Sequence, residues 1–257
     1  MRTRFVVVVV LAALLAGCGG GGDDGAAEPE LTAAAVREAP ARVRAEGSFA
    51  YEASYVRRVP DEPEEEYLLL SGAVDARSGS GTMEADLSRL LEGLPESSDE
   101  LAEPIALRWT PERLTAVVDG RELSRARAAA RVGTGLIGRL PDEPLGVLDL
   151  LGHAEGMRRA GVDRLDGVST VHFAGHVDPR RAGDGTVPAE FGLGLEQLLV
   201  EPRLPLDVWL DADGLPRRIQ YVFRLKPLEA EDTPVLPARS ITGVYELSDF
   251  GDPVEVD

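Results

Sequence analysis

The sequence predicts an α+β protein built on a curled antiparallel sheet, a half-barrel, with helices packed on its concave face. Three observations lead there. About ten segments alternate apolar with polar residues, only two or three show helical spacing, and Asp-Gly or other glycine-bearing joints connect several of the alternating segments. A sheet with one buried and one wetted face needs that alternation, and short turns between its strands make them antiparallel neighbours.

Taken in order, Leu31 to Glu46 places Leu31, Ala35, Ala39 and Val43 along one helical edge, and Pro40 is expected to bend or split that helix. The period then changes to two. From Ser48 to Arg57 the residues Phe49, Tyr51, Ala53 and Tyr55 alternate with more polar ones. Tyr67 to Ala76 and Gly81 to Leu87 are the next strands, joined through Asp75 to Gly81. Ile105, Leu107 and Trp109 share a face of a strand ending near Pro111, and Leu114 to Val118 closes on Asp119-Gly120, a tight hairpin signal. Leu145 to Ala154 interrupts the strands: Pro144 suits a first helical turn, and Val147, Leu148, Leu151 and Ala154 form one face.

Strands resume at Gly156 to Leu165 and Ser169 to Asp178, separated by Asp166-Gly167, and a second short helix is expected over Ala189 to Leu199. Leu204 to Asp211, Leu215 to Lys226 and Ser240 to Leu247 are the last strands. In the middle one Ile219, Tyr221, Phe223 and Leu225 share a face, while Arg218, Gln220, Arg224 and Lys226 take the other.

The N-terminus reads as an address rather than as part of this fold. Arg2 and Arg4 flank an apolar run from Phe5 to Leu15, and Leu15-Ala16-Gly17-Cys18 completes it. Eleven helical residues cover roughly 16 Å against a hydrocarbon core of about 30 Å, so the run does not span a bilayer. Leu-Ala-Gly-Cys resembles the lipobox of bacterial lipoproteins, in which the cysteine thiol receives a diacylglyceryl group, cleavage follows before it, and the new amine can be acylated, palmitate being the expected chain. An unmodified thiol in an ordinary secretory signal is the alternative. It leaves the one cysteine of an exported chain without a partner, whereas lipidation gives it a purpose. Glycine-rich, acidic residues 19 to 30 then form a tether of roughly 20 Å reach. The expected organisation is therefore a signal peptide over 1–17, lipidated Cys18 and tether over 18–30, and one domain over 31–257, at the extracytoplasmic face of the cell membrane.

Composition narrows the partners. The formal charge is −18, and loss of Arg2 and Arg4 leaves the mature chain near −20. Acids outnumber bases 45 to 27 and no basic run exceeds an Arg pair such as Arg57-Arg58 or Arg217-Arg218, which excludes a phosphate-backbone binder. Lys226 is the only lysine, a mark of a GC-rich genome rather than of chemistry. With one cysteine no intrachain disulfide forms, so stability rests on core burial, and a monomer is expected.

The stretch Leu206-Asp207-Val208-Trp209-Leu210-Asp211-Ala212-Asp213-Gly214-Leu215-Pro216-Arg217-Arg218, with the closing Leu247-Ser248-Asp249-Phe250-Gly251-Asp252-Pro253-Val254, resembles LppX/LprG-type actinobacterial lipoproteins of the LolA-like fold. The likeness also takes in the lipobox, the helix before the first strand and the helix near Leu148. It implies a half-barrel closed by helices over a hydrophobic cavity that carries acyl chains of lipids or lipoproteins, without cofactor or catalysis; the family also includes members with no proven ligand. Lining candidates are Phe49, Tyr51, Tyr55, Leu107, Trp109, Leu148, Leu151, Ile219, Tyr221 and Phe223. The same residues would equally fill a solid core, leaving a non-enzymatic interaction or sensor module of the cell envelope as the alternative.

Other chemistry finds little support. His172 and His176 on a strand stand about 13 Å apart, too far for one zinc ion. His153 falls near a helix end, where a capping or solvated role is expected. Asp211-Ala212-Asp213-Gly214 has the start of a calcium loop, but no glutamate closes it at the twelfth position, and a hairpin turn explains it. Glu64-Glu65-Glu66 with Asp61 and Glu62 reads as a solvated loop, or as a docking patch for a basic partner. No nucleophile elbow, phosphate loop or Cys-His pairing occurs in the mature chain.

Overall fold

The structure, a computed structural model, describes residues 30–86, 104–118, 120–124, 127, 140–179, 199–227 and 237–255. Helix α1 (Ala33–Glu46) leads into β1 (Ser48–Arg58), β2 (Glu65–Asp75), β3 (Ser80–Asp86), β4 (Ile105–Trp109), β5 (Leu114–Val118) and β6 (Arg121–Ser124). A 3-10 turn (Leu140–Asp142) precedes α2 (Glu143–Gly152), after which come β7 (Glu155–Leu165), β8 (Val168–Val177), β9 (Leu204–Leu210), β10 (Pro216–Leu225) and β11 (Arg239–Ser248).

All eleven strands join in one open antiparallel sheet with the order β6-β5-β4-β3-β2-β1-β11-β10-β9-β8-β7. Two meanders therefore meet at a seam. The chain runs outward from β1 to the β6 edge, crosses through α2 to the opposite edge at β7, and winds back until β11 pairs with β1, Ala53 opposite Tyr245 and Tyr55 opposite Gly243. Residues after β11 return to the start of β1, where Ser48 Oγ donates to the Asp252 carbonyl at 2.5 Å. Both edges are protected in the usual way: β6 has four residues, and β7 exposes Arg158, Arg159 and Arg164.

The alternation does what it predicts. Phe49, Tyr51, Ala53 and Tyr55 of β1 are buried, as are Ile105, Leu107 and Trp109 of β4 and Ile219, Tyr221, Phe223 and Leu225 of β10. These inner residues form one apolar cluster with Val36, Ala39 and Val43 of α1 and Val147, Leu148 and Leu151 of α2. The helices also pair through Arg44 and Asp149. The Asp166-Gly167 hairpin has φ of +47° and +84°, the left-handed pair that a two-residue turn requires, supplied by the two residue types that tolerate it.

Three expectations need correction or limit. Helix α1 continues unbroken through Pro40: the missing N–H costs one hydrogen bond, while the ring is buried with the core edge that holds the helix in place. Strand β6 was not foreseen, because Arg-Glu-Leu-Ser is too short and polar to show a period. The helix expected over Ala189 to Leu199 lies outside the described residues except Leu199, which forms a β-bridge with Leu225.

Candidate functional site

The ten residues proposed to line a cavity lie on one surface. Phe49, Tyr51, Tyr55, Leu107, Trp109, Ile219, Tyr221 and Phe223 face inward from the sheet, Leu148 and Leu151 face them from α2, and each is exposed by 5% or less. Sequence reasoning missed two members at its centre, Tyr245 of β11 and Tyr67 of β2. Tyr245 was legible, since it alternates with Ile241 and Leu247 on a foreseen strand. Tyr67 was not, because it is the additional residue of a bulge, between Leu68 opposite Tyr55 and Glu66 opposite Val56.

All five tyrosines of the chain, Tyr51, Tyr55, Tyr67, Tyr221 and Tyr245, therefore collect on the inner side of the seam strands. Tyr55 is the hub. Its hydroxyl lies 2.9 Å from that of Tyr221 and 3.0 Å from that of Tyr245, so three phenols form one buried hydrogen-bonded cluster. Tyr55 and Tyr245 meet edge to face at 6.2 Å between centroids, and Tyr221 packs edge to face on Phe223 at 5.1 Å, arrangements that aromatic quadrupoles favour. Gly243 makes the convergence possible. It stands opposite both Tyr55 and Tyr221, and a Cβ there would sit 2.6 Å from Tyr221 Cζ.

At the far end of this face, where β1 ends and β11 begins, the same alternation sets Arg57 and Arg239 at its rim, beyond Tyr55 and Ile241, with Arg57 exposed. Arg57 is paired with Glu65. Arg239 is half-buried; burial pushes its pKa below the usual arginine value, the nearby Arg57 adds to this, and Tyr67 opposes it.

The outer side of the sheet carries a different cluster. His172 of β8 stacks on Trp209 of β9 at 4.2 Å and 7° between ring planes, with Asp207 Oδ1 at 2.8 Å from His172 Nε2. Trp209 donates its indole N–H to Asp163 at 2.7 Å, and Arg218 lies over its ring at 5.7 Å. These contacts explain how an outward-facing tryptophan is only 9% exposed. His176 is on the same strand, facing Glu155 at 3.6 Å, so the two histidines are separate, as strand spacing requires.

Asp211 is committed to the β9-β10 turn. Its Oδ1 accepts the N–H groups of Asp213 and Leu215 at 3.0 Å each, and Oδ2 pairs with Arg217 Nε at 2.8 Å. His153 follows α2 as its capping residue, through its backbone N–H to Leu150 and Leu151. The acidic run after β1 is partly structural: Glu65 and Glu66 begin β2, and Glu64 and Glu65 pair with Arg58 and Arg57. Cys18 lies outside the described residues.

No family model matches the chain, and no curated protein matches it in sequence. Solved structures do. The crystal structure of LprF from Mycobacterium bovis aligns with a TM-score of 0.52 at 15% identity, over 88% of this chain and 95% of that one. The Mycobacterium tuberculosis lipoprotein LppX aligns with a TM-score of 0.50 at 14% identity, over 88% of this chain and 97% of that one. The chain thus has the LolA-like fold that the resemblance implied, as an open sheet of eleven strands with two helices among the described residues.

Proposed function

We propose that this chain is an envelope lipoprotein, held at the extracytoplasmic face of the membrane by acyl chains on Cys18, that binds or transfers a lipid or other hydrophobic ligand between its sheet and helices. The observation that carries the reading is the inner surface: apolar residues from both wings of the sheet and from both helices meet on one side, with a hydroxyl cluster at the centre. Each ligand methylene moved there from water recovers about 0.8 kcal/mol. Carriage needs no reacting group. The phenols add what a purely hydrocarbon surface lacks, because a hydroxyl can turn to donate to an ester or carboxylate oxygen.

Native mass spectrometry of the chain from Gly19 onward, made in a lipid-rich host, tests this. The expected result is a copurified lipid that is lost on Leu148→Arg; a folded, ligand-free spectrum argues for the filled alternative, a non-enzymatic interaction or sensor module. That second reading draws on the near-complete burial of all ten lining candidates. The anchor has its own test. Cys18→Ala is expected to release the protein from the membrane fraction, and unchanged fractionation would reject the assignment.

A further inference from the structure

The two arginines at the far end of the inner face are out of keeping with the rest of it. Every other inward position named on β1 and β11 is apolar, aromatic or glycine, and the chain as a whole carries −18. An arginine on a buried face is normally met by a carboxylate or by several carbonyls, because an unpaired buried charge is costly. Arg57 has Glu65. Arg239 does not: its Nη1 is buried without a hydrogen-bond partner among the described residues. Arg57 acts on it with the same sign and Tyr67 opposes, while Glu65 is engaged by Arg57.

We infer that Arg239, with Arg57 beside it, receives the anionic oxygens, carboxylate or phosphate, of an amphiphile whose acyl chain lies along the inner face. The inference rests on the proposed carriage of an apolar ligand and adds the class of its polar end. A planar guanidinium presents paired N–H donors that match a carboxylate or phosphate, and such charge-assisted bonds exceed neutral ones in strength. The dimensions agree. From Arg239 to Gly243, which stands opposite Tyr55 and Tyr221, the strand rises about 13 Å, while one acyl chain occupies about half of a 30 Å hydrocarbon core, so a chain anchored at Arg239 reaches those two phenols. The register places the arginines at one end of the tyrosine and leucine surface rather than in its middle, as an amphiphile with a single charged end requires.

The test compares oleate with oleyl alcohol, which share a chain and differ in charge, on the full chain carrying Cys18→Ala, by equilibrium dialysis, with inorganic phosphate as a third probe. Oleate is expected to bind about tenfold or more tightly than the alcohol. Arg239→Gln is expected to bring oleate down to the level of the alcohol without altering alcohol binding, and Arg239→Lys to recover part of the difference. Equal binding of the two amphiphiles overturns the headgroup assignment while leaving apolar carriage intact. Binding of neither overturns both. Phosphate binding that depends on Arg239 without amphiphile binding makes this a free-anion site and also overturns the assignment. If Arg239→Gln fails to fold, the oleate-to-alcohol ratio of the unsubstituted residue decides alone.

Discussion

The two faces of the seam are made by the same strands, yet they obey different rules. Inward, β1, β2, β10 and β11 hold five tyrosines. Outward, β1, β2, β3 and β11 line a groove of about 570 Å³ with five carboxylates, Glu52, Glu66, Glu84, Asp86 and Glu246, beside Leu69, which is 41% exposed. One register serves both sides, so a one-residue step along a strand exchanges phenol for carboxylate. The outer charges face the solvent side, where Glu246 accepts from Arg218 Nε at 3.0 Å. The inner hydroxyls have left water and must satisfy one another, which fixes Tyr55 relative to Tyr221 and Tyr245. Residue identity is thus demanded on one face and loosely constrained on the other.

The severest way to break this contrast is Tyr55→Ala. It removes the ring shared by Tyr67, Tyr221 and Tyr245 and both hydroxyl bonds, and is expected to cost about 3–5 kcal/mol in urea unfolding. A loss below about 1 kcal/mol would mean that the hub is not packed. Gly243→Ala comes next: its Cβ collides with Tyr221, with an expected cost of about 1–3 kcal/mol that Tyr221→Leu on the same chain partly restores. An additive double variant would contradict that contact. Tyr221→Phe keeps the ring and deletes one hydroxyl bond, an expected loss of about 1 kcal/mol. On the outer face Glu52→Gln is expected to stay within about 0.5 kcal/mol, and a larger loss would erase the distinction between faces.

The smallest expected effect belongs to a turn. Asp75 Oδ1 accepts the N–H groups of Arg77 and Ser78 at 2.8 and 3.0 Å, and the Ser78 N–H above all holds its carboxyl below the ordinary value while burial opposes. The ionised form is favoured by folding, so its stabilisation is present above the usual carboxylate pKa and fades as pH falls through the lowered one. Asp75→Asn should flatten that part of an acid unfolding curve; an unchanged curve would remove Asp75 from the account.

How much of this was legible follows from which residues carried a period. The strands that hold eight of the ten lining candidates were readable because Phe49 to Tyr55, Ile105 to Trp109 and Ile219 to Leu225 alternate without interruption. Helix α2 was readable from Pro144 and the spacing of Val147, Leu148 and Leu151, although Leu150 is buried as well. Tyr67 was hidden by a bulge that shifts parity by one residue. The hydroxyl cluster itself was hidden for a different reason: Tyr55 and Tyr245 are 190 residues apart, and only the closing pair of β1 with β11 brings them together. Likewise the His172-Trp209 stack depends on cross-strand register between β8 and β9, which hydropathy does not encode.

The claim on which the functional reading depends is that the tyrosine face, and not the carboxylate face, meets an apolar chain. A crystal of the protein grown with a terminally brominated fatty acid locates that chain by anomalous scattering. The bromine is expected between sheet and helices, beside Tyr221, Tyr245 and Leu148. A bromine on the outer groove beside Leu69, or none bound to the ordered protein, would contradict the account.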